Sequence, residues 1–324
     1  MSSKAGFAAH DWSRVNYCSA DAQDCCSALS SGMPRAGIVT VAGKPNVGKS
    51  TLLNRIVGQK LSITSPKPQS TRDRIVGIYS DEDAQMVILD TPGLLNPRYP
   101  LQEAMRLTAR RALDDADVIV YLADAAEGNP PPIAAAAGLL SPPRAPVVTV
   151  LNKSDVVPIS RRAELPRDTE VMYVSALTGE GIPELIAKIA AHLPESPFLY
   201  PEEDISTQPV RFFVAEMVRE TVLEQMHEEV PYSVAVQVEE YREERSPLYI
   251  RAVIYVERDS QKAIIIGSKG AQIRKLGEAA RKKIEAFVGT QVYLDLWVKV
   301  LANWRKNPGS LSRFGYQLAT GKSK

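Results

Sequence analysis

The amino-acid sequence predicts an α/β domain with a doubly wound, mostly parallel sheet, followed by a smaller α+β domain. The chain has 324 residues, which suits two domains that each bury a core. Between residues 37 and 193, short and almost continuously apolar runs alternate with helical patterns, as in a parallel sheet covered on both faces. After residue 210 this alternation stops. The five apolar runs span residues 37–42, 86–89, 118–122, 147–151 and 171–174.

The composition excludes several classes of protein. Hydrophobic residues make up 44% of the chain and charged residues 24%, which is typical of a globular protein and not of a fibrous or wholly disordered one. No apolar run approaches the roughly 20 residues that a membrane span requires. The formal net charge of +1 does not by itself indicate a nucleic-acid partner. An average of this kind can still hide a local basic patch.

The three cysteines, Cys18, Cys25 and Cys26, lie within the first 26 residues. Since none follows, we expect no disulfide framework in either domain, which favours a reducing, cytoplasmic compartment. Cys25 and Cys26 leave a redox or metal pair open as an alternative, although no second Cys or His cluster completes a zinc site. The polar leader that contains them is predicted to be disordered, and Met33 is an alternative start.

Composition shifts divide the chain into five predicted regions. Prolines and acidic residues cluster after residue 193 and indicate a linker between the domains. The predicted regions are a disordered leader at 1–33, a first domain at 34–196, a linker at 197–209, a second domain at 210–310 and a basic tail at 311–324. In the second domain we expect a helix at about 210–226, strands at 232–240 and 248–257, helices around 260–286 and a strand at 291–300.

A glycine-rich motif, GxxxxGK[ST], follows the first predicted strand and precedes a predicted helix. In this context backbone N–H groups converge on a β-phosphate, and we expect a Cβ on Gly48 to crowd that approach. Lys49 would place its ammonium on the β- and γ-phosphates, and the Ser50 hydroxyl would bind Mg²⁺. The motif predicts a nucleotide site. Its residues are Gly43, Lys44, Pro45, Asn46, Val47, Gly48, Lys49 and Ser50, and Thr51 continues into the helix.

A second motif after another strand selects guanine over adenine. Asp155 supplies a carboxylate that can accept hydrogen bonds from the guanine N1–H and 2-amino group, an edge that adenine lacks. Asn152 and Lys153 would brace the base and the phosphate loop. A backbone N–H from the next strand end would reach the guanine O6. That segment comprises Ser175, Ala176 and Leu177.

Residues between these motifs are expected to sense the γ-phosphate and hold the metal. Asp90 would reach Mg²⁺ through water, and the Gly93 N–H would bond the γ-phosphate. Thr71, in a Pro- and Ser-rich loop at 65–72 suited to an order–disorder switch, is the candidate second hydroxyl ligand. The predicted catalytic residues are Lys49, Thr71, Asp90 and Gly93, and Thr91 and Pro92 complete the turn.

Leu94 lies where many GTPases have a glutamine that orients water. An apolar side chain cannot do this, so intrinsic hydrolysis should be slow, or a cation or a partner must assist. Asn46 is a candidate for holding K⁺ against the phosphates. A simple turn residue is the alternative interpretation of Asn46.

The second domain carries a GxxG turn between two predicted helices, at Gly267–Gly270. Such a turn lets a nucleic-acid backbone approach peptide groups closely. Eight basic and two acidic residues between 258 and 283 give a local charge of +6, and six further basic residues with no acid follow Asp295. A solvated basic face is the alternative, but the apolar–GxxG–helix context favours RNA binding. The candidate residues are Ile266, Gly267, Ser268, Lys269, Gly270, Arg274 and Lys275.

Together these motifs resemble the Era family of bacterial ribosome-assembly GTPases, over about residues 35–316. The resemblance rests on Gly43–Asn54, Pro68–Arg72, Asp90–Leu95, Asn152–Asp155, Val256–Lys262, Ile266–Gly270 and Leu296–Val300. It implies a Ras-like P-loop GTPase domain followed by a type II KH domain, with GTP or GDP and Mg²⁺ as cofactors. It also implies a monomer that binds the 3′ end of small-subunit ribosomal RNA during 30S maturation and associates peripherally with the inner membrane.

The sequence departs from the family pattern in three places: Ser70 replaces a usual threonine, Ser268 replaces a common lysine, and the leader is extra. Alternative functions remain open at this point. In an RNA-binding assembly factor, hydrolysis would only control release. A tandem GTPase with a KH-like module is disfavoured because no second GxxxxGK[ST] occurs, and an ATPase is disfavoured by Asp155.

Overall fold

The computed structural model describes residues 33–158 and 171–318. The predicted leader, including its three cysteines, therefore lies outside the described residues apart from Met33. The same is true of residues 319–324 of the predicted tail. Among the described residues, no helix is both long and apolar enough to cross a membrane.

A six-stranded sheet forms the centre of the first domain within the described residues. Its order is β2-β3-β1-β4-β5-β6, with β2 antiparallel to β3 and all other neighbours parallel. This confirms the predicted mostly parallel sheet and adds β2, which lacks a long apolar run. The strands are β1 (Arg35–Gly43), β2 (Ile75–Ser80), β3 (Ala84–Asp90), β4 (Val118–Asp124), β5 (Val147–Asn152) and β6 (Val171–Tyr173).

Parallel pairing brings the carboxyl ends of β1, β3, β4 and β5 to one edge of the sheet, where the predicted motifs begin. Leu52 and Leu53 of the first helix are fully buried in the core beneath this edge. The nucleotide motifs are thus loops on a rigid, well-packed support. The helices of this domain are α1 (Lys49–Val57), α2 (Pro100–Asp114), α3 (Ile133–Ala137) and α4 (Ile182–His192).

The second domain has the predicted α+β content. Helices lie on one face of a sheet with the order β7-β8-β9, in which β7 and β8 are antiparallel and β8 and β9 parallel. The GxxG turn joins the two helices α7 and α8 at the helical side of the sheet. The elements are α5 (Val210–Gln225), α6 (Val230–Ser233), β7 (Ala235–Arg242), β8 (Leu248–Val256), α7 (Asp259–Ile266), α8 (Ala271–Val288), β9 (Val292–Val300) and α9 (Pro308–Arg313).

The C-terminal segment packs at the junction of the two domains. Trp304 is fully buried, and its Nε1 donates to the carbonyl of Ser233 at 2.7 Å. Around it, Leu101 and Met105 of α2 meet the second face of the β7-β8-β9 sheet, together with the buried Leu311. Residues 311–318 of the predicted basic tail are therefore part of this apolar junction in the structure.

Helix α5 and the linker also connect the domains. Phe213 of α5 packs in the core of the first domain, against Phe287 of α8, while Met217 packs in the core of the second. The predicted linker lies along β2: the Ile78 N–H donates to the carbonyl of Ile205 at 2.9 Å. The domains are thus joined by continuous packing.

Candidate nucleotide site and nucleic-acid interface

The phosphate loop joins β1 to α1 in the predicted position. Lys49 is buried, and its Nζ donates to the carbonyl oxygens of Gly43 (3.2 Å) and Lys44 (2.8 Å), so the side chain folds back over the loop. Burial lowers the pKa of Lys49 to about 8, and the nearby charge of Asp90 limits this lowering. The ammonium form therefore still predominates at pH 7, and its positive charge is available to phosphate oxygens.

Gly48 lies directly against the side-chain amide of Asn152. Its φ is +98°, and a Cβ there would lie 2.2 Å from Nδ2 of Asn152. The obstruction that the structure shows for such a Cβ is the Asn152 amide, and the crowding of a phosphate stays a prediction. That amide donates to the carbonyl of Val47 at 2.8 Å and so connects the phosphate loop to the base-binding motif.

Asp90 lies at the end of β3 and is completely buried. Its Oδ2 accepts hydrogen bonds from the hydroxyls of Ser50 (2.7 Å), Ser62 (2.6 Å) and Thr71 (3.3 Å), and the Ser50 and Thr71 hydroxyls are 2.9 Å apart. Burial raises the pKa of Asp90, while Lys49 and the three hydroxyls oppose that rise. The predicted metal residues are thus brought together, and Ser62 joins them without belonging to any recognised motif.

This donor set fits Mg²⁺, which prefers hard oxygen ligands. The second carboxylate oxygen of Asp90, Oδ1, is buried and has no hydrogen-bond partner among the described residues. Within those residues, no group of three or more His, Cys, Asp and Glu side chains is placed to hold a metal. Hydroxyls and one carboxylate are therefore the ligands that the side chains at this site can offer.

The turn after Asp90 packs closely against the phosphate loop. Thr91 is buried and donates to the carbonyl of Val41 at 2.9 Å, so its side chain serves the fold. A Cβ on Gly93 would lie 2.7 Å from the backbone nitrogen of Pro45, which explains the glycine. Leu94 packs with the apolar cluster around α3. The Leu94 N–H donates to the carbonyl of Gly43 at 2.9 Å, whereas its side chain is apolar and offers the site no polar group.

The two predicted base-binding segments, 152–155 and 175–177, also meet. Asn152 Oδ1 accepts from the Ala176 N–H at 2.9 Å, and Asp155 Oδ1 accepts from the Ser175 hydroxyl at 2.6 Å. In this structure the Ala176 N–H is therefore engaged by Asn152. Leu177 is 68% exposed at the rim. Lys153 pairs with Asp124 at 2.8 Å, at the end of β4.

Two supporting residues were not predicted from the sequence. Arg55 of α1 donates to the carbonyls of Ala176 (3.1 Å) and Leu177, and so holds the predicted base-binding segment. Asp124 fixes the ammonium of Lys153. Neither residue lies in a motif. In the sequence, a supporting role was indicated only for Asp124, by its position at the end of a strand. Thr51 is half-buried in the first turn of α1.

The loop at 65–72 bridges the two domains. Asn46 of the phosphate loop donates to the carbonyl of Pro66 at 2.9 Å. At the other end Arg72 is buried in the second domain, where it donates to the carbonyls of Val234 (2.5 Å) and Tyr232 (3.0 Å). Burial lowers the pKa of Arg72. The predicted switch loop is therefore fastened to both domains.

The GxxG turn is exposed at the surface of the second domain. Gly267 and Gly270 have φ values of +70° and +77°, and Lys269 between them has a φ of +48°. Ser268, Lys269, Arg274 and Lys275 are exposed, whereas Ile266 packs towards the core. A cavity of about 440 Å³ opens beside the turn, lined on its other side by residues 225–230. The candidate RNA residues therefore form one accessible surface.

Two family models match the chain. The model of 50S ribosome-binding GTPases matches residues 38–153, and the KH domain model matches residues 229–305. GTPase Era of Carboxydothermus hydrogenoformans is 43% identical over 87% of this chain and 98% of that relative. GTPase Era of Thermotoga maritima is 43% identical over 84% of this chain and 94% of that relative.

Two solved structures are similar over 88% of this chain and their entire length. One is a variant of Aquifex aeolicus Era bound to GDP and AlF4⁻, with 39% identity and a TM-score of 0.80. The other is Era in complex with MgGDPNP and nucleotides 1506–1542 of 16S ribosomal RNA, with 40% identity and a TM-score of 0.82. Because both domains and nearly the full length of these relatives are matched, the chain belongs to the Era family of GTPases.

Proposed function

We propose that this GTPase is a Mg²⁺-dependent switch that binds the 3′ end of small-subunit ribosomal RNA and assists maturation of the 30S subunit. GTP hydrolysis follows from membership of the family. The observation that carries the nucleotide part is the buried cluster in which the hydroxyls of Ser50 and Thr71 converge on Asp90. A cluster of this kind, beside the phosphate loop, suits a metal-bound nucleoside triphosphate better than any other ligand.

Each residue then has a distinct task. Ser50 and Thr71 would hold Mg²⁺ directly and Asp90 through water, and the ion would neutralise charge on the β- and γ-phosphate oxygens. Lys49 would leave its two carbonyl partners to bind the β- and γ-phosphates. The N–H of Gly93 would bind the γ-phosphate, so the turn registers hydrolysis. Asp155 would bind the guanine edge, with its carboxylate oriented by Ser175.

Water activation needs help from outside these side chains. The Leu94 side chain offers no polar atom to orient water, so we assign this assistance to a K⁺ ion held by Asn46 beside the phosphates. The left-handed backbone of Asn46, with a φ of +64°, points its side chain along the loop towards Pro66, where the switch loop begins. We therefore include K⁺ as a cofactor of the reaction.

The RNA part of the proposal rests on the exposed GxxG turn and its basic flank. Arg274 and Lys275 lie in the first turns of α8, directly after the turn. Backbone N–H groups and these side chains would bind phosphates of a single strand. The relative solved with nucleotides of 16S ribosomal RNA supports the choice of RNA.

We extend the proposal to the setting in which the protein works. We expect a monomer in the cytoplasm that acts on the 30S subunit and associates peripherally with the inner membrane. These features rest on the resemblance to the family.

Replacing Asp155 by asparagine tests guanine recognition. The change exchanges an acceptor for a donor, and each bond to a charged group is worth about 1.5–3 kcal/mol. We expect GTP affinity to fall by at least tenfold and xanthosine triphosphate affinity to rise, as measured by competition with a fluorescent nucleotide. Unchanged GTP affinity with no gain for xanthosine triphosphate would show that another group selects guanine.

Lys49→Ala and Thr71→Ala separate phosphate binding from metal binding. Lys49 serves the β-phosphate of both nucleotides, so its loss should weaken GDP and GTP alike. Thr71 serves the metal beside the γ-phosphate, so its loss should spare GDP affinity and impair hydrolysis. Titration with fluorescent GDP and single-turnover hydrolysis measure the two effects. If both variants lose GDP binding equally, the assignment of Thr71 fails.

Replacing Ser268 and Lys269 with aspartate tests the RNA surface. Both residues are exposed, and both glycines of the turn are kept. We expect RNA binding to be lost in electrophoretic shifts with a 3′-end oligonucleotide, while GDP affinity and melting temperature stay the same. In the parent protein, log affinity should fall against log salt with a slope of about −0.7 per phosphate contact.

The matched control for this variant carries Ser141→Asp and Arg144→Asp. These exposed residues precede β5, at the edge of the sheet opposite the nucleotide site, and the change in charge is the same. The control should bind RNA normally. Normal binding by the turn variant would instead assign the RNA site to the basic face outside the turn.

A further inference from the structure

A buried carboxylate joins the two domains at Glu220 of α5. Its side chain is 1% exposed, and Oε2 accepts hydrogen bonds from Lys60 and Lys283, each at 2.8 Å. Lys60 belongs to the first domain, whereas Lys283 lies on α8, the helix that begins at the GxxG turn. Lys283 also pairs with Glu224 at 2.7 Å. One carboxylate thus holds a lysine from each functional half of the molecule.

The bridge is ionised at neutral pH. Burial opposes the charged form of Glu220, but the ammonium groups of Lys283 and Lys60 outweigh it and lower the pKa of the carboxyl. The other oxygen, Oε1, is buried without a hydrogen-bond partner in the part of the chain that is described. A buried carboxylate that loses one of its cations is left with uncompensated charge. The carboxylate therefore links Lys60, whose side chain is about half-exposed, to Lys283 and α8.

Lys60 also leads directly to the metal site. Two residues later, the hydroxyl of Ser62 donates to Asp90 at 2.6 Å. Between them the chain is clamped to α1 by Asn54, whose Oδ1 accepts from the N–H groups of Leu61 (2.9 Å) and Ser62 (2.8 Å). The three residues from Lys60 to Ser62 therefore connect the hydrogen bond to Asp90 with the ion pair to Glu220. Their hydrogen bonds to Asn54 hold them in place.

A second contact acts on the same helix. Lys67 of the loop at 65–72 donates to the carbonyls of Leu223 and Met226, at the C-terminal end of α5. Residues 225 and 226 line the cavity beside the GxxG turn. Helix α5 is thus contacted from the nucleotide domain both at its middle and at the end that faces the RNA surface.

We propose that Glu220 is the coupling residue through which the metal site at Asp90 and the GxxG helix influence each other. Ser50, Thr71 and Asp90 would hold Mg²⁺ beside a γ-phosphate. The hydrogen bond from the Ser62 hydroxyl to Asp90 would then change, because the same carboxylate would also serve the metal. The segment from Ser62 to Lys60 would transmit that change to the Lys60 side chain. The ion pairs of Glu220 would transmit it further, to Lys283 and α8. The inference rests on the proposed function, since it needs a chain that binds both nucleotide and RNA.

The test compares RNA affinity of the full chain in two nucleotide states. A fluorescent oligonucleotide of the small-subunit rRNA 3′ end is titrated with protein saturated with MgGDP or with the Mg²⁺ complex of a non-hydrolysable GTP analogue. We expect the parent affinities to differ by about 5-fold or more, as is typical of coupled sites. By reciprocity, RNA should change the affinity for the GTP analogue by the same factor, relative to GDP.

Glu220→Gln keeps the shape of the side chain and removes its charge. The ratio of the two RNA affinities should fall to within about twofold of unity, while GDP affinity stays at the parental value. Lys60→Met, on the nucleotide domain, should give the same loss, and the double variant should add little to either single change. Circular dichroism verifies the fold of each variant, and the Lys60 variant tests the bridge even where Glu220→Gln does not fold.

Glu278→Gln is the matched control. It breaks an exposed pair with Lys282 (3.0 Å) on the same helix and should leave the affinity ratio unchanged. A parental ratio in folded Glu220→Gln or Lys60→Met overturns the inference, and so does a parent protein whose RNA affinity is equal in both nucleotide states. In either case RNA binding and GTP hydrolysis still stand. A parent protein that binds no RNA would instead overturn the proposed function.

Discussion

The carboxylate of Asp90 is fully buried and must be satisfied, and this constraint organises the nucleotide site. Hydroxyls from α1, from the segment after α1 and from the loop at 65–72 all converge on one of its oxygens. These hydroxyls lie far apart in the sequence and are brought together by the end of a single strand. Whatever binds beside Asp90 must therefore engage three segments of the chain at once.

Side chains beside two of those segments' hydroxyls contact the second domain, which makes the domain junction part of the same arrangement. Arg72, directly after Thr71, is buried against backbone carbonyls of the KH domain, and Lys60 pairs with Glu220. The apolar packing around Trp304 fixes the remaining side of the junction. The candidate metal site is thus connected to the interface between the domains through Arg72 and Lys60.

Local patterns predicted much of this molecule. The phosphate loop, the guanine motif and the GxxG turn are each contiguous, and the apolar strands place the first two at one sheet edge. The sequence could not predict Ser62 or Arg55, because their roles depend on partners 28 and 121 residues away. It also gave no sign that Gly48 lies against Asn152, which is distant in the chain, and it treated residues 311–318 as a tail, although long-range packing places them at the junction.

The most direct test of the account is GTP hydrolysis by the full chain under single-turnover conditions, with and without an oligonucleotide of the small-subunit rRNA 3′ end. Because the loop that carries Thr71 is fastened to the KH domain, saturating RNA should change the hydrolysis rate several-fold. An identical rate with and without bound RNA would contradict the account, since the two domains would then act independently and hydrolysis would serve only release.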